Sequence, residues 1–162
     1  MRAVVVACAV VIAAPTAARA DPPFTIGGQP SWFVLAGATG GAALYDTRAG
    51  FVGGEVSVFR LRQGRLIGAY ADAYYDFGVD GTYVTGGVEL GRKLGPIGVG
   101  VDGGVAARFA YGDRNLGATG RLFGSAGVVS IYVRYVALDG TDRNDHVVQV
   151  GATLKFPLVS PW

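Results

Sequence analysis

The chain has 162 residues, enough for one domain, with 14 basic and 12 acidic residues, a single histidine and a single cysteine. Half of it is hydrophobic (51%) and 27 residues are glycine, yet no apolar run after residue 20 reaches the length of a membrane-crossing helix. Nucleic acid is excluded as a partner because no clustered Lys/Arg stripe could neutralise phosphates, and one His with one Cys is too few for a zinc centre.

Residues 1–20 read as a secretory signal: Arg2 supplies the charged start, Val4 to Ala14 the apolar core, and Ala18-Arg19-Ala20 a small-x-small cleavage site before Asp21. Cys8 leaves with that segment, so the mature chain has no thiol to pair. Without Arg2 and Arg19 the 14 basic residues become 12, equal to the 12 acidic ones, and the mature protein is neutral. Residues 21–31 form a short N-terminal segment on the periplasmic side, and 157–162 a C-terminal extension.

Between Trp32 and Phe156 apolar and small polar residues alternate with period two about eight times, with Gly and Asp clusters as punctuation. The pattern predicts strands near 32–44, 50–60, 65–75, 82–92, 96–109, 117–126, 128–137 and 146–156, each close to a tilted membrane-crossing length. In the second strand Val52, Gly54, Val56 and Val58 share one face and Gly53, Glu55 and Ser57 the other. The fifth sets Ile97, Val99, Val101 and Val105 against Gly98, Gly100, Asp102, Gly104, Ala106 and Arg108. The eighth sets Val148, Val150, Ala152, Leu154 and Phe156 against Gln149, Gly151, Thr153 and Lys155. The fold class is all-β: an eight-stranded antiparallel up-and-down transmembrane β-barrel over 32–156.

A soluble secreted barrel that binds an apolar ligand would show the same alternation with the faces exchanged. Three features favour the membrane form. The polar face of most strands carries only one or two charges among Gly, Ser and Thr, which suits a narrow lumen. Aromatics gather at strand ends, as at the two lipid–water boundaries of a membrane barrel: Trp32, Phe33, Phe59 and Phe156 at one rim, and Tyr45, Phe51, Tyr74, Tyr75, Phe77, Tyr83, Phe109, Tyr111 and Tyr135 at the other. Connections at 61–64, 93–95 and 127 are tight, whereas those at 45–49, 76–81, 110–116 and 138–145 are longer and richer in Asp, which places the termini and tight turns in the periplasm.

The last strand, Gln149-Val150-Gly151-Ala152-Thr153-Leu154-Lys155-Phe156, resembles the assembly signal of bacterial outer-membrane barrels, polar-x-Gly-x-x-apolar-x-aromatic, matched by Gln149, Gly151, Leu154 and Phe156. The Pro157–Trp162 extension departs from it, since the family usually ends at the aromatic. In layout the chain is similar to the OmpA-type and OmpX-type eight-stranded barrels. The resemblance implies a cell outer-membrane location, partnership with outer-membrane lipids and lipopolysaccharide, recognition by the barrel-assembly machinery, and a monomer. Members of that broad group serve as anchors, host-contact proteins, small-solute channels or lipid-modifying enzymes, and fold alone does not choose among them.

The residues argue against an enzyme, and no cofactor is expected. His146 is the only possible imidazole base, it shares the parity of Val148 and Val150, and Ser57, Ser125 and Ser130 lie on other strands. The loop holding Asp139, Asp142, Asn144 and Asp145 could offer oxygens to calcium but lacks the EF-hand spacing and reads as a solvated turn.

The inward parity collects four acids, Glu55, Asp72, Glu89 and Asp102, and four bases, Arg108, Arg121, Arg134 and Lys155. Acids occupy strands two to five and bases strands five to eight, so opposite charges face each other across the barrel. A charge-plugged lumen follows if they pair, since eight strands leave room only for side chains. A narrow porin-like channel for small polar solutes follows if the inward glycines leave room for water, with the opposed walls orienting the solute. A surface interaction or adhesion barrel is the third possibility, with Tyr75, Phe77, Tyr111 and the loop aspartates offered to a partner.

Overall fold

The computed structural model describes residues 31–45, 48–140 and 145–159; the expected signal segment 1–20, the bulk of the 21–31 segment and residues 160–162 lie outside them. Eight strands form a closed antiparallel barrel: β1 (Ser31–Leu44), β2 (Arg48–Arg62), β3 (Arg65–Asp76), β4 (Gly81–Leu94), β5 (Ile97–Ala110), β6 (Asp113–Ala126), β7 (Val129–Leu138) and β8 (His146–Val159). Each strand pairs with the next, and β1 closes onto β8, so no edge is left with unpaired backbone groups.

The period-two pattern sorts inside from outside. In β2, Phe51, Glu55, Ser57 and Phe59 are buried while Val52, Val56 and Val58 are exposed. The exposed wall continues through Val84, Val88 and Leu90 of β4, Val99, Val101 and Val105 of β5, and Ile131 and Val133 of β7. The buried set is mostly polar or charged, an inside-out polarity relative to a water-soluble domain.

Turn chemistry sets the register. Gln63 and Gly64 (φ 50° and 74°) join β2 to β3, and Tyr111 and Gly112 (φ 52° and 91°) join β5 to β6, both with the paired left-handed residues of a type I′ hairpin. The second of these corrects the expected long connection at 110–116. Although Asp113, Arg114 and Asn115 are polar, they continue the ladder opposite Ala110, Phe109 and Arg108, so β6 begins at Asp113 rather than near 117. Long and short connections therefore do not alternate strictly. The C-terminal end of β8 also differs: pairing continues past Phe156, with Pro157 opposite Leu35 and Val159 opposite Val34, across a register shift that leaves Leu158 as the extra residue on β8. A bulge is where a strand accommodates a proline that has no N–H to give the ladder.

The aromatic rims require a larger correction. Trp32, Phe156, Tyr75, Phe77, Phe109, Tyr111 and Tyr135 are exposed as rim residues should be, but Phe33, Phe51, Phe59, Tyr74 and Tyr83 are buried in the lumen, with Tyr45 half-buried beside them. Parity decides this: Phe51 and Phe59 share a face with Glu55 and Ser57, so nearness to a strand end could not turn them outward.

Candidate functional site

Among the described residues, charged and polar side chains from all eight strands converge in the lumen, and it is filled in tiers. At the end carrying the longer connections, the rings of Tyr74 and Tyr83 stack with centroids 5.0 Å apart, and Phe51 tilts against Tyr74 at 5.4 Å. Ala43, Val136, Leu138 and Val147 close an apolar layer around them. Beside this layer Arg108 donates to Asp145 at 2.7 Å and to Asn115 at 3.2 Å. The Tyr45 hydroxyl donates to Asp76 at 2.6 Å, and Asp76 also accepts the Gly78 N–H at 2.8 Å. Burial pushes the Tyr45 phenol well above its ordinary pKa and the hydrogen bond to Asp76 adds to the shift, so it stays a neutral donor.

Below lies the charged tier. Arg134 of β7, fully buried, crosses the barrel to Asp72 of β3, whose other oxygen accepts from Thr85 at 2.5 Å. Arg121 of β6 bridges Glu55 of β2, at 2.5 and 3.2 Å, and Asp102 of the neighbouring β5. Lys155 of β8 reaches the same Glu55 at 2.5 Å and donates to Ser57 at 3.1 Å. Rings line these cations: Arg121 lies 4.9 Å from the Tyr70 centroid and 5.1 Å from Tyr132, and Arg134 lies 5.1 Å from Tyr74 and 5.3 Å from Tyr132. Tyr132 and Thr39 share a hydrogen bond at 2.7 Å, tying β7 to β1 across the lumen.

At the opposite end Phe33 and Phe59 stack at 5.2 Å. Next to them opens a cavity of about 80 Å³ between Leu35, Leu66, Phe123, Glu89 and Lys155. Glu89 is buried at its edge, with Oε2 lacking a hydrogen-bond partner among the described residues.

All eight charged residues singled out by parity point inward, but their pairing differs from a simple four-against-four match. Arg108 takes Asp145, a residue assigned by sequence to a solvated loop and in fact 1% exposed. The odd parity it shares with Val147 and Gln149 was the available signal. Glu89 makes no ion pair among the described residues. Of the assembly-signal residues, Gln149 and Gly151 face the lumen and Leu154 and Phe156 the exterior. His146 also faces outward, sharing a hydrogen bond with the Tyr135 hydroxyl through Nδ1 at 2.8 Å.

Inward glycines are seats for rings. Gly53, Gly68, Gly100 and Gly151 lie directly opposite Tyr74, Phe59, Phe123 and Tyr132 in the ladder. A Cβ built on Gly100 would come within 2.4 Å of the Phe123 ring, and one on Gly151 within 2.7 Å of the Tyr132 ring. The space these glycines open is taken by carbon rather than left to water.

No protein-family model and no curated protein matches the chain. Among solved structures it is similar to the crystal structure of Neisserial surface protein A (NspA), with a TM-score of 0.53 and 14% sequence identity, over 78% of this chain and 97% of that one. That likeness is one of fold: a small closed β-barrel shared at low sequence identity.

Proposed function

We propose that the protein is a small outer-membrane β-barrel whose lumen is sealed by its own charged side chains, a structural membrane protein rather than a pore or an enzyme. The observation that carries this reading is the burial of Arg134 and Arg121, 0% and 4% exposed, at mid-height in the barrel. An aqueous channel would leave such groups hydrated. Here each guanidinium is held by a carboxylate contributed from a distant strand and flanked by rings. In a site without water this matching is required, because an unpaired buried charge costs several kcal/mol, on the order of 3–5.

The membrane assignment rests on the apolar outer wall, where Val88, Val105, Leu122 and Ile131 are each more than 60% exposed. The fold likeness to NspA, described as a surface protein, agrees with it. The termini and the turns at 63–64, 95–96 and 127–128 are assigned to the periplasm, and the Tyr111-Gly112 turn with the 139–145 connection to the cell exterior. The reading sets catalysis aside because His146 sits on the outer face of the wall, whereas Ser57 and Ser130 face the lumen.

Protein purified from outer membranes and placed in planar bilayers is expected to insert without conductance steps. The double variant Arg121→Ser/Arg134→Ser, which removes both crossing side chains, should admit small ones. Discrete steps from the wild type that change with Arg121→Gln or Glu89→Gln would establish a narrow charged channel and overturn the sealed reading. Recovery of the native protein in the aqueous fraction would overturn the membrane assignment.

A further inference from the structure

The turn-bearing end of β2–β4 carries a charge pattern that the lumen does not explain. Arg62 pairs with Arg65 across the β2–β3 hairpin, and Arg65 pairs with Arg92 of β4. All three are exposed and share the outward parity of Arg60 and Ile67, so three guanidinium stems stand side by side at strand spacing, about 10 Å from first to last. Like charges directly opposite in a sheet are destabilising. No ion pair among the described residues involves any of them, and the exposed acids among those residues, Asp80, Asp113 and Asp139, lie at the other end of the barrel. Among the described residues nothing neutralises them, which leaves the row open to an anion from outside.

Their level identifies the source. Arg60 lies over the ring of Trp32 at 5.9 Å, and Ile67 and Leu90 are exposed on the same strands toward the barrel's middle. An exposed tryptophan under an arginine marks the boundary where apolar wall gives way to headgroups. At the same end the rest of the rim is apolar, with Ile97, Val129 and Leu158 exposed, so the basic groups form a localised patch and not a belt. Planar guanidinium forks match phosphate oxygens in pairs.

We propose that Arg62, Arg65 and Arg92, with Arg60 beside them, form a binding site for the phosphate headgroup of an anionic glycerophospholipid in the periplasmic leaflet. The leaflet follows from the orientation given under the proposed function; the phosphate chemistry does not depend on it. Arginine spacing admits a headgroup with one phosphate between neighbouring stems, or two phosphates along the row.

The test is lipid retention by the purified, delipidated barrel in mild detergent, read by native mass spectrometry with phosphatidylglycerol, phosphatidylcholine and lipid A as competing probes. Phosphatidylglycerol should be retained over phosphatidylcholine by about fivefold for each arginine engaged. Arg62→Gln/Arg65→Gln/Arg92→Gln should abolish that preference while Arg48→Gln/Arg114→Gln, at the other end, keeps it. Heat-shifted gel migration reports that each variant is folded. Equal retention by the wild type and the triple variant would overturn the site, and preferential retention of lipid A through the same arginines would overturn the glycerophospholipid assignment.

Orientation is read separately in whole cells with a membrane-impermeant maleimide. Labelling of Asp113→Cys but not Gln63→Cys supports the periplasmic leaflet. The converse would overturn it, whatever the detergent experiment reports about the arginines.

Discussion

Replacing Arg134 with methionine keeps most of the side chain's volume but removes the cation that, among the described residues, is the only one bonded to Asp72, whose side chain is fully buried. Breaking one partner of a buried pair costs roughly 3–5 kcal/mol, because the remaining carboxylate is left uncompensated. The lost contacts to the Tyr74 and Tyr132 rings add up to about 1 kcal/mol each. With a urea m-value of about 2 kcal/mol/M, the ion-pair loss alone moves the unfolding midpoint down by about 2 M. The double variant Arg134→Met/Asp72→Asn removes both charges and leaves an amide that can still accept from Thr85, so it should regain most of the loss. Urea titrations of the barrel in detergent micelles, followed by tryptophan fluorescence, measure both variants and give the coupling directly. If single and double variants unfold at the same midpoint, Asp72 does not depend on Arg134 and the description of the lumen as a matched network is wrong.

Other perturbations follow from the same packing. Gly100→Val should destabilise the barrel by about 1–3 kcal/mol in the same titration, since its Cβ would meet the Phe123 ring at 2.4 Å and the Leu90 carbonyl at 2.5 Å. Adding Phe123→Ala to it should recover part of that loss. Gly112→Val, at φ 91° with open space around it, should cost about 1–2 kcal/mol through backbone strain alone, with no rescue from any neighbouring truncation. Phe156→Ala, at an exposed position with nothing inside the lumen, should leave purified stability within about 1 kcal/mol while lowering the amount of folded protein in outer-membrane fractions. A loss of stability in place of the loss of yield would show that Phe156 packs and does not signal assembly.

Parity carried most of what could be read without coordinates. Glu55, Asp102 and Lys155 sit on the small-residue faces of β2, β5 and β8, and one residue of slippage would have thrown all of them into the apolar wall. Nearness to a strand end does not override parity: Phe33 and Phe59 lie near a strand end, yet their odd positions turn them inward, where they stack. Register was the other hidden quantity. Only once the hairpin at Gln63-Gly64 fixes the pairing do Gly53 and Gly68 fall opposite Tyr74 and Phe59, which reveals why glycines are placed inside a barrel without a channel. The Arg108–Asp145 pair was hidden because its members lie 37 positions apart, on β5 and beside the start of β8, and meet only across the closed barrel.

Closure itself acquires a chemical readout from this arrangement. Several contacts that fill the lumen join residues far apart in the chain: Glu55 with Arg121, Tyr132 with Thr39, and Ser57 with Lys155 at separations of 66, 93 and 98 positions. None can form within a single hairpin, and the last strand to be synthesised brings Lys155 and Thr153, the final polar partners of Glu55 and Thr39. A growing sheet therefore keeps part of its polar interior, Glu55 and Thr39 among it, short of partners until β8 zips against β1, and only then does expelling the last water become favourable. Dehydration of the interior reports that the cylinder is complete, and a truncated chain, lacking Lys155, has an energetic reason to remain open and accessible to proteolysis rather than collapse into a stable imitation of the finished barrel.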